Sequence, residues 1–142
     1  MSFVVELMSD DGVGDIFNKT YMLDWNSFNE GEYELSFTFK TALQSDLNYG
    51  TTSAPCSLAL PDIPLRNIVS VKNSRTQSSP IVGQISSEIF NASVWYRSHP
   101  SNLPIRCMKP SSHEFRVQLL DIEGNLLTSF VKYNLILYFN KK

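Results

Sequence analysis

The chain has 142 residues, 42% of them hydrophobic and 12% aromatic, with a formal net charge of -2. That hydrophobic content is too high for a disordered chain, and the length suits one domain with a proper core, read here as a single domain over residues 1–142. No basic run or Lys/Arg face stands out, so direct binding to nucleic acid is not expected, and no apolar stretch approaches the length needed to insert into a membrane.

Charged residues make up 18% of the chain, below the usual share of about 25%. A surface so poor in charge is either covered by another molecule or built from neutral Ser- and Asn-rich loops, and composition leaves both open. The start, Met1-Ser2-Phe3-Val4-Val5-Glu6, has no basic region and carries an early Glu, so it does not read as a secretion signal. Without secretion, Cys56 and Cys107 read as two buried free thiols rather than a disulfide. The sequons Asn18-Lys19-Thr20 and Asn91-Ala92-Ser93 read as coincidence.

In chain order, Phe3-Val4-Val5-Glu6-Leu7-Met8 predicts a first strand, with Phe3, Val5 and Leu7 on one face. Ser9 to Asp15 holds three Asp and two Gly. It lacks the spacing and the distal Glu of a calcium loop, so a plain turn is expected. Ile16 to Trp25 reads as extended and Asn26 to Gly31 as a turn. Tyr33, Leu35, Phe37 and Phe39 then alternate with Glu32, Glu34, Ser36, Thr38 and Lys40, which predicts a strand with one buried and one wet face. Gln44 to Ala54 is a polar loop, and the proline-bracketed Pro55–Pro61 segment suggests an edge strand or a sharp exit. Leu65–Lys72 is a short strand and Asn73–Pro80 a loop. Ile81–Ile85 is extended, Ser86–Phe90 is open between strand and short helix, Arg97–Pro104 is a loop, and Ile105–Met108 is a short strand.

The last stretch is the clearest. Phe115, Val117 and Leu119 alternate with polar residues, Asp121 to Asn125 is a turn, and Val131, Tyr133, Leu135, Leu137 and Phe139 alternate again. Two such strands around a short polar connection predict an antiparallel hairpin. Lys141-Lys142 reads as a frayed tail. About eight strands spaced by turns, with no long helix, indicate an all-β antiparallel two-sheet sandwich, a single jelly roll.

Signals for chemistry are sparse. His99 and His113 have no partner at metal-ligand spacing, and no zinc, nucleophile-elbow or phosphate-loop motif occurs. The Glu32/Glu34 pair lies on a wet strand face, and the reading is of a protein without catalysis, metal or cofactor. Trp25, Trp95 and Tyr96 are aromatic enough to stack on a sugar, though core or rim packing is the favoured reading.

Three stretches carry a resemblance. They are Tyr21-Met22-Leu23-Asp24-Trp25 followed by Gly31 to Phe39, His113 to Asp121 followed by Gly124-Asn125, and the closing strand Tyr133 to Phe139. In this order the chain resembles small single jelly-roll minor capsid and penton-type proteins of large eukaryotic DNA viruses, polinton-like viruses and virophages. The resemblance covers both ends of the chain, not the middle from about Gln44 to Ser112. It implies a virion structural protein, a minor capsid or vertex component, made in the host cell without a secretion signal. Its partners would be other capsid subunits, in a homo-oligomer (trimer or pentamer) or a hetero-assembly.

The candidate interface residues are Ile136 and Tyr138, on the nominally wet face of the last strand, with Leu120 beside them in the expected hairpin. Burial under a loop of the same chain is the competing reading of these three. The alternative function is a lectin-like or receptor-binding jelly-roll module, with Trp95, Tyr96 and loops 44–54 and 97–104 as the ligand site and Asp10, Asp11 and Asp15 as possible calcium ligands.

Overall fold

A computed structural model describes residues 2–41, 56–66, 69–72, 74–90, 93–127 and 132–142. The inward rows Tyr33–Phe39 and Tyr133–Phe139 need a shared apolar environment, and the chain supplies it by pairing them. Strand β4 (Glu32–Thr41) runs antiparallel to β13 (Tyr133–Lys141), with Leu35 opposite Phe139, Phe37 opposite Leu137 and Phe39 opposite Leu135. On the other side of β13 lies β1 (Ser2–Met8), in register from Ser2 opposite Asn140 to Met8 opposite Asn134.

The remaining strands are β2 (Val13–Asp15), β3 (Asn18–Met22), β5 (Cys56–Ala59), β6 (Leu65–Arg66), β7 (Val69–Lys72) and β8 (Arg75–Ser78). They continue with β9 (Ile81–Phe90), β10 (Ser93–Ser98), β11 (Ile105–Met108) and β12 (Glu114–Leu120). Short 3-10 turns occupy Ser9–Asp11 and Trp25–Ser27, and there is no α-helix among the described residues. One antiparallel sheet runs β1-β13-β4-β10-β9-β5-β12-β3-β2, with β11 also on β4 and β6 on β11. Strands β7 and β8 form a separate hairpin.

This sheet curls strongly until its inner side closes on itself. The link between its two halves is thin: β10 pairs with β9 from Ser93 to Ser98 but meets β4 only at Arg97 opposite Lys40. The core therefore draws on both halves. Trp25 is 1% exposed, and its ring centre lies 5.6 Å from Phe115 of one half and 5.6 Å from Phe139 of the other. Tyr21 of β3 and Tyr133 of β13 join their hydroxyls across the same gap at 3.1 Å. Burial and this shared hydrogen bond hold the Tyr133 phenol far above its ordinary pKa. Phe3 of β1 is stacked on Phe28 at 3.6 Å and closes one end of the core.

Several expectations are corrected. The terminal hairpin does not form. The turn is there, with Gly124 at φ 87° and Asp121 Oδ1 accepting from the Glu123 and Asn125 amides at 2.9 Å. Leu126 returns only to bridge Leu120, after which β13 joins the opposite half of the sheet. Alternation identifies strands but not partners, and the inward row of β13 is better buried beside β4.

Strand β5 is not an edge, because it lies between β9 and β12 and all four of its residues are buried. Pro61 marks its exit, where the chain turns at Pro61-Asp62. Residues 75–78, expected in a loop, are β8, and Ser86–Phe90 belongs to β9. The C-terminal lysines are tied down. Lys142 donates its amide to the Glu32 carbonyl at 3.0 Å and its ammonium to Glu34 at 2.9 Å, while Lys141 reaches the Glu30 carbonyl.

Neighbours on β13 provide the test of its two faces. Leu135 is fully buried and Ile136 only half-buried. Leu135→Ala should cost about 2–5 kcal/mol in denaturant unfolding and Ile136→Ala less than half as much. Equal costs would contradict the assignment.

Candidate assembly surface

The wet face of β1, β13 and β4 follows from the same alternation that builds the core. If Val5, Leu137 and Phe37 point inward, their neighbours point outward. Two rows cross the middle of this wall: Val4, Tyr138 and Ser36, then Glu6, Ile136 and Thr38. Met8, Asn134 and Lys40 form the next row. Val4 is 58% exposed and Met8 42%, and Ile136 and Tyr138 are half-buried on the same wall. The middle of the wall thus carries apolar and aromatic side chains with small hydroxyl residues beside them, and Glu6 is the one charged residue in these two rows.

Charge collects at the two ends of the wall and is largely paired there. At one end Arg106 faces Glu32 at 3.6 Å and Lys142 faces Glu34 at 2.9 Å. At the other, Lys132 meets Asp10 at 3.3 Å. Beside that pair is a groove of about 450 Å³ lined by Glu6, Met8, Lys40, Asn134 and Ile136 among others. Beneath it, buried Ser9 accepts the Tyr133 amide and buried Thr41 accepts the Tyr96 amide, so the groove floor is fixed by hydrogen bonds.

The structure separates the three residues expected together. Ile136 and Tyr138 share the wall. Leu120 does not join them: β12 pairs with β5 and β3, on the other half of the sheet, and Leu120 is 8% exposed where Leu126 folds back to it. Their supposed adjacency depended on the hairpin. Val4 and Met8 were missed. Their apolar character on the wet face of β1 is visible in the sequence, but nothing local tells that β1 lies against β13.

For the ligand-binding alternative, Tyr96 is 8% exposed and packed in the core cluster, so it presents no open stacking face. Trp95 lies in β10 opposite Glu88, and its side chain is outside the described residues, as is the 44–54 loop. Part of the 97–104 stretch is pinned to β9: Asn102 accepts the Gln84 amide at 2.9 Å and donates back to the Gln84 carbonyl at 2.8 Å. Asp10 lies in a 3-10 turn, with its carboxylate on Lys132.

The two histidines make structural hydrogen bonds, His99 within its own loop and His113 to the segment that follows β3. His99 accepts the Ser101 amide, and His113 meets the Leu23 carbonyl at 3.2 Å beside a shallow depression formed with Met22 and Asp24. No group of three or more His, Cys, Asp or Glu among the described residues could hold a metal ion. On the second half of the sheet, Arg116 makes a two-pronged ion pair with Asp62, both contacts at 3.0 Å, which holds the Asp62 carboxyl below its usual pKa range.

No protein-family model matches this chain, and no curated protein matches it. Its function is therefore argued from fold and surface.

Cys56 and Cys107 are buried and unpaired, and burial pushes both thiols up to about 12. Since the thiolate is the reactive form, neither should react with a thiol reagent at pH 8 in the folded protein, and both should react in denaturant. Fast labelling of the native protein would contradict their placement.

Proposed function

We propose that this protein is a structural subunit of a virus particle, a single jelly roll acting as a minor capsid or vertex component and assembling through its sheet wall without catalysis. Strand order supports the jelly-roll part. The principal strands of one half run β1-β13-β4-β11 and those of the other β3-β12-β5-β9. Numbered along the chain, these are first, eighth, third and sixth, then second, seventh, fourth and fifth. That interleaving matches the strand order expected of a double Greek key, and it supports reading each half as one sheet of a sandwich.

Jelly rolls serve capsids, lectins and enzymes alike, so the fold is a weak warrant for function. The observation that carries the reading is the wall itself: Val4, Met8, Ile136 and Tyr138 lie together on the outside of a well-paired sheet, with Glu6 among them and ion-paired charges at the two ends. Interfaces deplete charge at their centre and gather aromatic residues and Met there. The lectin-like alternative loses one of its two aromatic residues to the core, because Tyr96 is buried.

Tyr138→Glu tests the wall. The side chain is half-buried on the outer face, so the variant should fold with a near-native melting temperature. A carboxylate at the centre of an interface should weaken assembly at least about tenfold in sedimentation velocity. Unchanged oligomers would remove the wall from the interface.

A further inference from the structure

The sheet has three terminal strands among the described residues, and they are not alike. Strand β2 has three residues and includes Gly14 in a left-handed conformation. Strand β6 has two residues and ends on Arg66. Strand β1 has seven, paired with β13 at every position without a bulge, and only β13 flanks it among the described residues. Natural edge strands are shortened, bulged, or given Pro or Lys, because a bare row of amides and carbonyls recruits another strand. Strand β1, Ser2-Phe3-Val4-Val5-Glu6-Leu7-Met8, has none of these devices and a single charge, Glu6.

We infer that the edge of β1 is a self-association site, at which a second copy of this chain adds its own β1 antiparallel across a twofold axis. The inference deepens the proposal above, resting on its claim that copies associate, and names a contact distinct from the wall. The partner follows from the strand's own sequence. A twofold places residues of like face opposite each other, so only alternate registers are open. Centred on Glu6, the pairing sets the two glutamates against each other. Centred on Val4, it leaves Leu7 and Met8 without strand partners. Centred on Val5, it pairs all seven residues: Ser2 with Met8, Phe3 with Leu7, Val4 with Glu6, and Val5 with its copy. In that register Phe3, Val5 and Leu7 continue the inner face across the axis and no like charges meet.

The register makes a signed prediction, because each Glu6 faces Val4 of the other copy. Val4 is 58% exposed, so either charge there should leave the fold intact, which unchanged melting would verify. Val4→Glu sets two carboxylates opposite each other at both symmetric positions and should raise the dimer dissociation constant by about tenfold. Val4→Lys sets an ammonium opposite Glu6 and should leave the dimer as tight or tighten it, with the gap between the two variants shrinking in high salt.

Both variants weakening the dimer alike would overturn the register, as would neither having an effect or a wild type that stays monomeric at its highest soluble concentration. If Tyr138→Glu dissociates the oligomer and both Val4 variants weaken it alike, the edge contact falls and the wall reading stands, because Val4 lies beside Tyr138 on the wall. If only the Val4 variants act, with the predicted signs, the edge contact stands and the wall reading falls.

Discussion

The structure depends on one constraint: the inward rows of β4 and β13 must be covered, and the only cover large enough is the inner side of the same sheet. The curl satisfies it. Trp25 is the piece that both halves touch, with Phe115 on one side and Phe139 on the other. Around it, Tyr21 and Tyr133 exchange a buried hydroxyl contact, and Phe3 and Phe28 stack over the open end. Aromatic rings suit this task because edge-to-face packing fills a gap between twisted surfaces that aliphatic side chains of fixed length would leave uneven.

How much of this was legible in the sequence depended on range. Period-two alternation located β1, β4, β12 and β13 because each has one buried face, and the Asp121 to Asn125 turn was legible because its Asp, Gly and Asn have specific conformational uses. Pairing was not legible. Residues 120 and 133 are close in sequence, yet β12 and β13 lie in opposite halves, since local pattern cannot weigh a hairpin against the larger burial gained beside β4. Strand β5 misled for a related reason: Pro61 lies beyond the end of the strand and does not prevent a central position. Ile136 and Tyr138 were found on the outer wall from alternation alone. Leu120 was misplaced with the hairpin. Tyr96 is buried, in line with the core-packing reading that the sequence favoured over sugar stacking.

The outer surface repeats the logic of the core at lower density. A strand with apolar residues on both faces is expected when both faces are covered. On β13, Tyr133, Leu135, Leu137 and Phe139 face in, while Ile136 and Tyr138 face out beside Val4 and Met8. Charged side chains at the margins are engaged with one another, and so leave the centre as the part of the wall that gains most from leaving water. Strand β1 belongs to this wall and to the sheet edge, so the proposed wall and edge contacts adjoin at Val4 and Glu6. The low share of charged residues, ambiguous from composition, fits a surface that is covered in the assembled state.

The most direct measurement is the native mass of the wild-type protein at micromolar concentration in moderate salt. The account predicts an integer multiple of the single-chain mass, in which every copy keeps its buried thiols and its cooperative melting. A protein that remains a single chain at every concentration, with or without added salt, would contradict self-assembly through this fold.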